Sequence, residues 1–185
     1  MAEPVALAAL ALDAALGWPS ALYRRIGHPV GLFAAMISAC ETRWNRADAG
    51  FAKRRALGIA TLLLLVFGTG GIALALEHLL AAALGGFAWI GIALCAWPAL
   101  AQRSLFDHVR AVALALDAGR LPAARRAVGA IVGRDTAALD ENGVACAAIE
   151  SLAESFCDGV AAPLFWLLLF GLPGVWIYKA INTAD

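Results

Sequence analysis

Charge is what this sequence has least of. Only 15% of its 185 residues are Asp, Glu, Lys or Arg, where a soluble domain carries nearer ~25%, so an ordinary water-soluble fold is excluded first. The 14 basic and 14 acidic side chains cancel, which leaves no overall field to recruit nucleic acid. Cysteine is scarce too: Cys40, Cys95, Cys146 and Cys157 form no C-x-x-C and no zinc-like spacing with His28, His78 or His108. They are read as small buried hydrophobes, and a disulfide scaffold is excluded. No Ser-His-Asp order, H-E-x-x-H or complete P-loop occurs, which removes protease, zincin and Walker-type ATPase readings. The N-terminus lacks the positive region of a secretory signal, because Glu3 stands there and Asp13 interrupts the apolar run.

Hydrophobic residues make up 62% of the chain. Three stretches carry no charge and no histidine: Ala56–Leu76, Leu79–Gln102 and Gly159–Tyr178. At ~1.5 Å per residue each is long enough to cross a ~30 Å hydrocarbon core as a helix. The expected fold class is therefore all-α, a polytopic integral membrane helical bundle with a cytoplasmic helical segment between spans. The order runs from a short apolar helix (5–16) through a basic segment (17–55), a transmembrane hairpin (56–102) turning at Glu77-His78, and cytoplasmic helices (103–158) to a last span (159–178).

Placement of the basic residues sets the expected orientation. Arg24, Arg25, Arg43, Arg46, Lys53, Arg54 and Arg55 lie in 17–55 against only Glu41 and Asp48, and Arg103 follows the hairpin, while its tip has no Lys or Arg. The positive-inside rule then puts the hairpin tip outside and 17–55 and 103–158 in the cytoplasm. Helical spacing of Val30, Phe33, Ala34 and Ile37 predicts an amphipathic helix after His28-Pro29. Leu105, Val109, Val112 and Leu116 predict another, stopped by Gly119; Pro122 starts a third, and a fourth runs from about Asp140 to Cys157.

Chemistry is expected in two places. Glu150, Glu154 and Asp158 fall at i, i+4 and i+8, so an unbroken helix would line three carboxylates on one face. Bound Mg²⁺ or an Arg such as Arg134 would relieve their repulsion. On spacing alone a solvated acidic face is equally open. Asp13 is an ionisable group in an apolar helix, which is costly in a membrane and so marks either a polar cavity with a partner or a place at the interface.

The polar motifs together resemble a family. The run Ile131-Val132-Gly133-Arg134-Asp135-Thr136, then Ala148-Ile149-Glu150-Ser151-Leu152-Ala153-Glu154-Ser155, then Asp158-Gly159-Val160-Ala161-Ala162-Pro163 are similar to segments of the CobD/CbiB cobalamin-biosynthesis family. Leu12-Asp13, His28-Pro29-Val30 and Ala180-Ile181-Asn182-Thr183 match in the same order, while Trp18, Ser155 and Ala184 depart from the usual residues. The resemblance covers the N-terminal part of the family length. It implies an adenosylcobinamide-phosphate synthase, a ligase joining aminopropanol or its phosphate to the propionate carboxylate of adenosylcobyric acid with ATP and Mg²⁺. Arg134, Asp135, Glu150 and Glu154 would then be catalytic; Asp13, His28, Arg134 and Asn182 would bind substrate; Glu150, Glu154 and Asp158 would hold metal. The implied partners are the corrinoid, the amino alcohol, the lipid bilayer and a polypeptide supplying the C-terminal part. The alternatives are a non-catalytic AmpE-like membrane signalling protein on the same scaffold and a subunit of a membrane complex.

Overall fold

The computed structural model describes residues 2–46 and 48–185, and among them there is no β-strand. The first helix, α1 (Ala2–Leu16), ends at Gly17, and α2 (Ser20–Ile26) ends at Gly27. Next comes α3 (Pro29–Trp44), started by His28 as N-cap with Pro29 in the first turn, where its missing N–H costs nothing. A long α4 (Phe51–Leu84) follows. A 3₁₀ turn at Gly85–Phe87 then leads into α5 (Ala88–Ala96). The remaining helices are α6 (Gln102–Asp117), α7 (Leu121–Gly129), α8 (Glu141–Phe156) and α9 (Ala162–Ala184).

By length and composition two helical stretches can cross a membrane, or three if the pair of α1 with α2–α3, bent by 102°, counts as one. The chain is thus an all-α membrane protein, with shorter helices between its apolar ones. Two cores follow from the apolar patterning. In the first, Val5, Ala9, Ala73, Ala93, Ala96, Leu172 and Val175 pack α1, α4, α5 and α9 together, and the many alanines let the backbones approach closely. In the second, Val112, Ala115, Ala124, Val128, Val144 and Ala147 join α6, α7 and α8. Local signals set this second unit's boundaries. Gly119 takes φ +65° after α6, Pro122 lies in the first turn of α7, and the Asp140 carboxylate accepts the Gly143 N–H at 2.7 Å to cap α8.

Two expectations about the spans are corrected. The hairpin does not turn at Glu77-His78, which lie inside α4; it turns at Gly85–Phe87, where Gly85 adopts φ +52°. Two polar side chains do not break a helix, whereas a left-handed backbone needs glycine. The stretch 159–178 is not one straight span either. Asp158 and Asn182 are 24 residues apart, which in a continuous helix means ~36 Å, yet the Asn182 amide donates to the Asp158 carboxylate at 3.2 Å. The chain folds back at Gly171, whose φ of 64° and ψ of −149° break the helix just before Pro173. The first arm continues α8 through Cys157–Ala161, and its charge-free part 159–170 is ~18 Å long, as against ~20 Å for 172–184, each short of a ~30 Å hydrocarbon core. They form a helical hairpin that turns at Gly171.

Candidate functional site

The loop between α7 and α8 is tied down by its own polar atoms. Arg125 Nε donates to the Leu139 carbonyl at 2.6 Å, the Thr136 hydroxyl donates to the Arg125 carbonyl at 3.0 Å, and the Asp135 carboxylate accepts the Ala137 N–H at 2.9 Å. From α8, the Ser151 hydroxyl donates to the Ile131 carbonyl at 2.6 Å, and Ser151 itself is 7% exposed. Held this way, Arg134 reaches Glu150, with Nη2 to Oε2 at 2.6 Å. The two lie on a cavity of about 210 Å³ together with Gly133, Ser151 and Glu154. Pockets for drug-sized ligands run ~300–1,000 Å³, so this one suits a phosphate group or a small amino alcohol. The Asp135 carboxylate, expected among the catalytic groups, closes the loop turn, and Glu150 orients the Arg134 guanidinium.

The three-carboxylate stripe is not formed. Residues Cys157–Ala161 make a π-helical turn, which inserts a residue and takes Asp158 off the face of Glu150 and Glu154. Asp158 instead faces the returning arm of α9: the Tyr178 hydroxyl donates to Oδ1 and the Asn182 amide to Oδ2, both at 3.2 Å, and Lys179 Nζ lies 3.4 Å from its backbone carbonyl. Among the described residues no three His, Cys, Asp or Glu side chains gather as a metal site. The donor set for a resident Mg²⁺ bound by Glu150, Glu154 and Asp158 is therefore not assembled.

The other expected residues meet nearby. Asp13, only 2% exposed, accepts the Arg103 N–H at 3.0 Å and so satisfies a free donor in the first turn of α6, while Arg103 Nη1 donates to the Ala14 carbonyl at 3.3 Å. Asp13 is thus a structural cap at the α1–α6 junction. It shares a cavity of about 430 Å³ with Trp18, Arg24, His28 and Ser104. His28 Nδ1 accepts the Val30 N–H at 3.3 Å, so a neutral ring carries its proton on Nε2 and offers a donor there. Helix α3, which His28 caps, packs against α9, with the Phe33 and Trp176 ring centroids 6.1 Å apart. Ala101 N–H donates to the Gly159 carbonyl at 3.0 Å and ties this cavity's wall to the π turn beside Asp158.

The sequence motifs therefore fall into two neighbouring groups: Arg134, Glu150 and Glu154 on the α6–α8 unit, and His28, Asp158 and Asn182 where α1, α3 and the α9 hairpin end. The helix running from Glu150 through the π turn connects them. Sequence reasoning missed Lys179 and Tyr178, which complete the second group. Lys179 is the sole basic residue between Gly159 and Asp185, a signal that placing the end of a span at Tyr178 passed over.

Comparison with known proteins bears on the family of the chain. The family model described as CobD/Cbib protein matches residues 6–185. A cobalamin biosynthesis protein CobD of Rhodobacter capsulatus is 51% identical over 177 residues, covering 96% of this chain and 55% of that protein. Those of Brucella anthropi and Sinorhizobium fredii are 46% and 45% identical over 179 and 182 residues, covering 96% and 98% of this chain and 54% and 55% of theirs. The chain spans about half the length of these curated relatives. No solved structure matches it. With its motifs, its membrane helices and this agreement along nearly all of its length, the chain belongs to the CobD/CbiB family.

Proposed function

We propose that this chain acts in cobalamin biosynthesis as part of an inner-membrane ligase that forms an amide between aminopropanol, or its phosphate, and the propionate carboxylate of adenosylcobyric acid at the expense of ATP. The observation that carries the reading is the Arg134–Glu150 pair on a phosphate-sized cavity with Ser151 and Glu154. In this reading the γ-phosphoryl of ATP passes to a carboxylate oxygen, giving ADP and an acyl phosphate. The amine then attacks the acyl carbon, the C–N bond forms, the C–O bond to phosphate breaks, and the amine loses a proton. Arg134 stabilises charge on the transferring phosphoryl, and Glu150 holds the guanidinium fork in place. Glu154 makes no ion pair among the described residues and is suited to take the amine's proton. Mg²⁺ comes with the nucleotide's phosphates, as it does where few protein ligands are offered, and Glu150 or Glu154 is the residue to meet it.

Corrinoid recognition is assigned to the second group. His28 Nε2–H, the Lys179 ammonium and the free Oδ1 of Asn182 suit the amide and carboxylate periphery of the ring, and the 430 Å³ cavity takes an edge of it. The bundle lies in the inner membrane with 17–55 and 103–158 facing the cytoplasm, where nucleotide is available; the excess of basic residues in 17–55 supports this side. The part of the relatives that this chain does not cover completes the enzyme. The test is Mg-ATP-dependent conversion of adenosylcobyric acid and aminopropanol phosphate by membranes holding this chain co-expressed with the remaining half of the Rhodobacter capsulatus relative. Turnover that Glu154→Gln abolishes supports the reading. Absence of turnover with both halves folded in the membrane favours a non-catalytic scaffold.

A further inference from the structure

Glu77 is a carboxylate in the long apolar helix α4, 22 residues beyond Arg55, and its position has a structural counterpart in the α9 hairpin. Its Oε2 accepts the Leu172 N–H at 2.9 Å, the first donor of the returning arm, across 95 residues of sequence. Gly171 stands against the same carboxylate. A Cβ there would lie 2.6 Å from Oε2 and 3.0 Å from Oε1, and the φ of 64° disfavours any side chain. Gly174 is packed as closely, since a Cβ there would collide with the Trp166 carbonyl and the Phe170 side chain. A negative charge facing the unsatisfied N–H groups that begin a helix is favourable, the more so where water is excluded. The arm anchored in this way carries Tyr178, Lys179 and Asn182 to Asp158.

We propose that Glu77 is a positioning residue: it caps the returning arm of the re-entrant hairpin from α4, fixes where the chain turns at Gly171, and so sets Tyr178, Lys179 and Asn182 against Asp158. The assignment of those three residues to corrinoid recognition rests on the function proposed above; the docking of the arm by Glu77 does not. Glu77 explains why an ionisable group persists in an apolar helix: it satisfies a backbone donor that a broken helix leaves open within the apolar bundle.

The test is a cysteine cross-link between α4 and the returning arm. A Cβ at Gly70 would lie 2.8 Å from Ile177 Cδ1, so the pair Gly70→Cys and Ile177→Cys reports the docked arm without touching the site. It is made in the full chain in membranes, with Cys40, Cys95, Cys146 and Cys157 replaced by alanine. Oxidation cross-links the parent and Glu77→Gln, whose amide oxygen still accepts the N–H. Glu77→Leu, near-isosteric and more apolar and therefore compatible with membrane insertion, loses about tenfold in cross-linking rate. Gly171→Ala, with Glu77 intact, loses a similar factor. Equal cross-linking in Glu77→Leu and the parent overturns the proposal whatever the activity. In the coupled turnover assay the same Leu variant raises KM for the corrinoid and Glu77→Gln restores it. A fall in kcat alone that Gln does not rescue overturns the positioning role.

Discussion

Replacing Arg134 separates a functional ion pair from a structural one, because the two readings predict different magnitudes. The side chains of Arg134 and Glu150 are 53% and 67% exposed, and although they meet at 2.6 Å, exposed ion pairs contribute only ~0–1 kcal/mol to stability. No other hydrogen bond of the Arg134 side chain is present among the described residues, so Arg134→Gln removes that single contact and leaves the loop held by Arg125, Thr136, Asp135 and Ser151. Unfolding in detergent micelles should therefore shift by less than ~1 kcal/mol. If Arg134 meets the transferring phosphoryl, turnover should fall by ~10²–10³, the cost of losing one donor to developing charge. Arg134→Lys should recover only part of it, since an ammonium lacks the bidentate fork. The measurements are denaturation midpoints and Mg-ATP-dependent turnover on the same preparations. A loss of several kcal/mol in stability with turnover per folded molecule unchanged would refute the reasoning, because the pair would then be a structural tie.

Other substitutions probe the positions around it. Asp13→Ala should destabilise the chain by ~1–2 kcal/mol through loss of the buried cap on α6, and Asp13→Asn, which keeps an acceptor for the Arg103 N–H, by less; detergent unfolding reads both. Ser151→Ala should cost ~1 kcal/mol in the same assay by leaving the Ile131 carbonyl without its 2.6 Å donor, and should loosen the loop that presents Arg134. Glu154→Gln should leave stability within ~0.5 kcal/mol, since Glu154 is exposed and makes no ion pair among the described residues, while reducing turnover.

The sequence made the α6–α8 unit readable for definite physical reasons. Its helices are amphipathic against water, and Gly119, Pro122 and Asp140 mark their ends with residues that only a few backbone conformations favour. The membrane part was legible in composition but not in path. Counting charge-free residues treats Glu77-His78 as a loop, although a carboxylate can stay in an apolar helix when a neighbouring helix offers it an N–H. The same counting makes 159–178 a span, because a re-entrant hairpin and a crossing helix bury equally apolar side chains; Gly171 and Pro173 carried the signal of a break. The acidic stripe failed for a related reason. Extrapolating 3.6 residues per turn across Cys157–Ala161 ignores a π turn that no simple spacing rule anticipates, and Asp158 turns to Tyr178 and Asn182. The motifs themselves identified residues of the site, but their grouping depended on that turn and on the fold-back.

The fold-back is the claim on which the second half of the site depends, and the sidedness of two exposed alanines tests it most directly. Ala138 lies in the loop before α8 and Ala184 ends the returning arm, and both are exposed. With native cysteines replaced, Ala138→Cys and Ala184→Cys are labelled separately by a membrane-impermeant maleimide in intact spheroplasts and in inverted vesicles. A re-entrant hairpin predicts that both react from the same side of the membrane, whereas labelling from opposite sides would mean that 159–178 crosses the bilayer and that Asp158 and Asn182 do not meet.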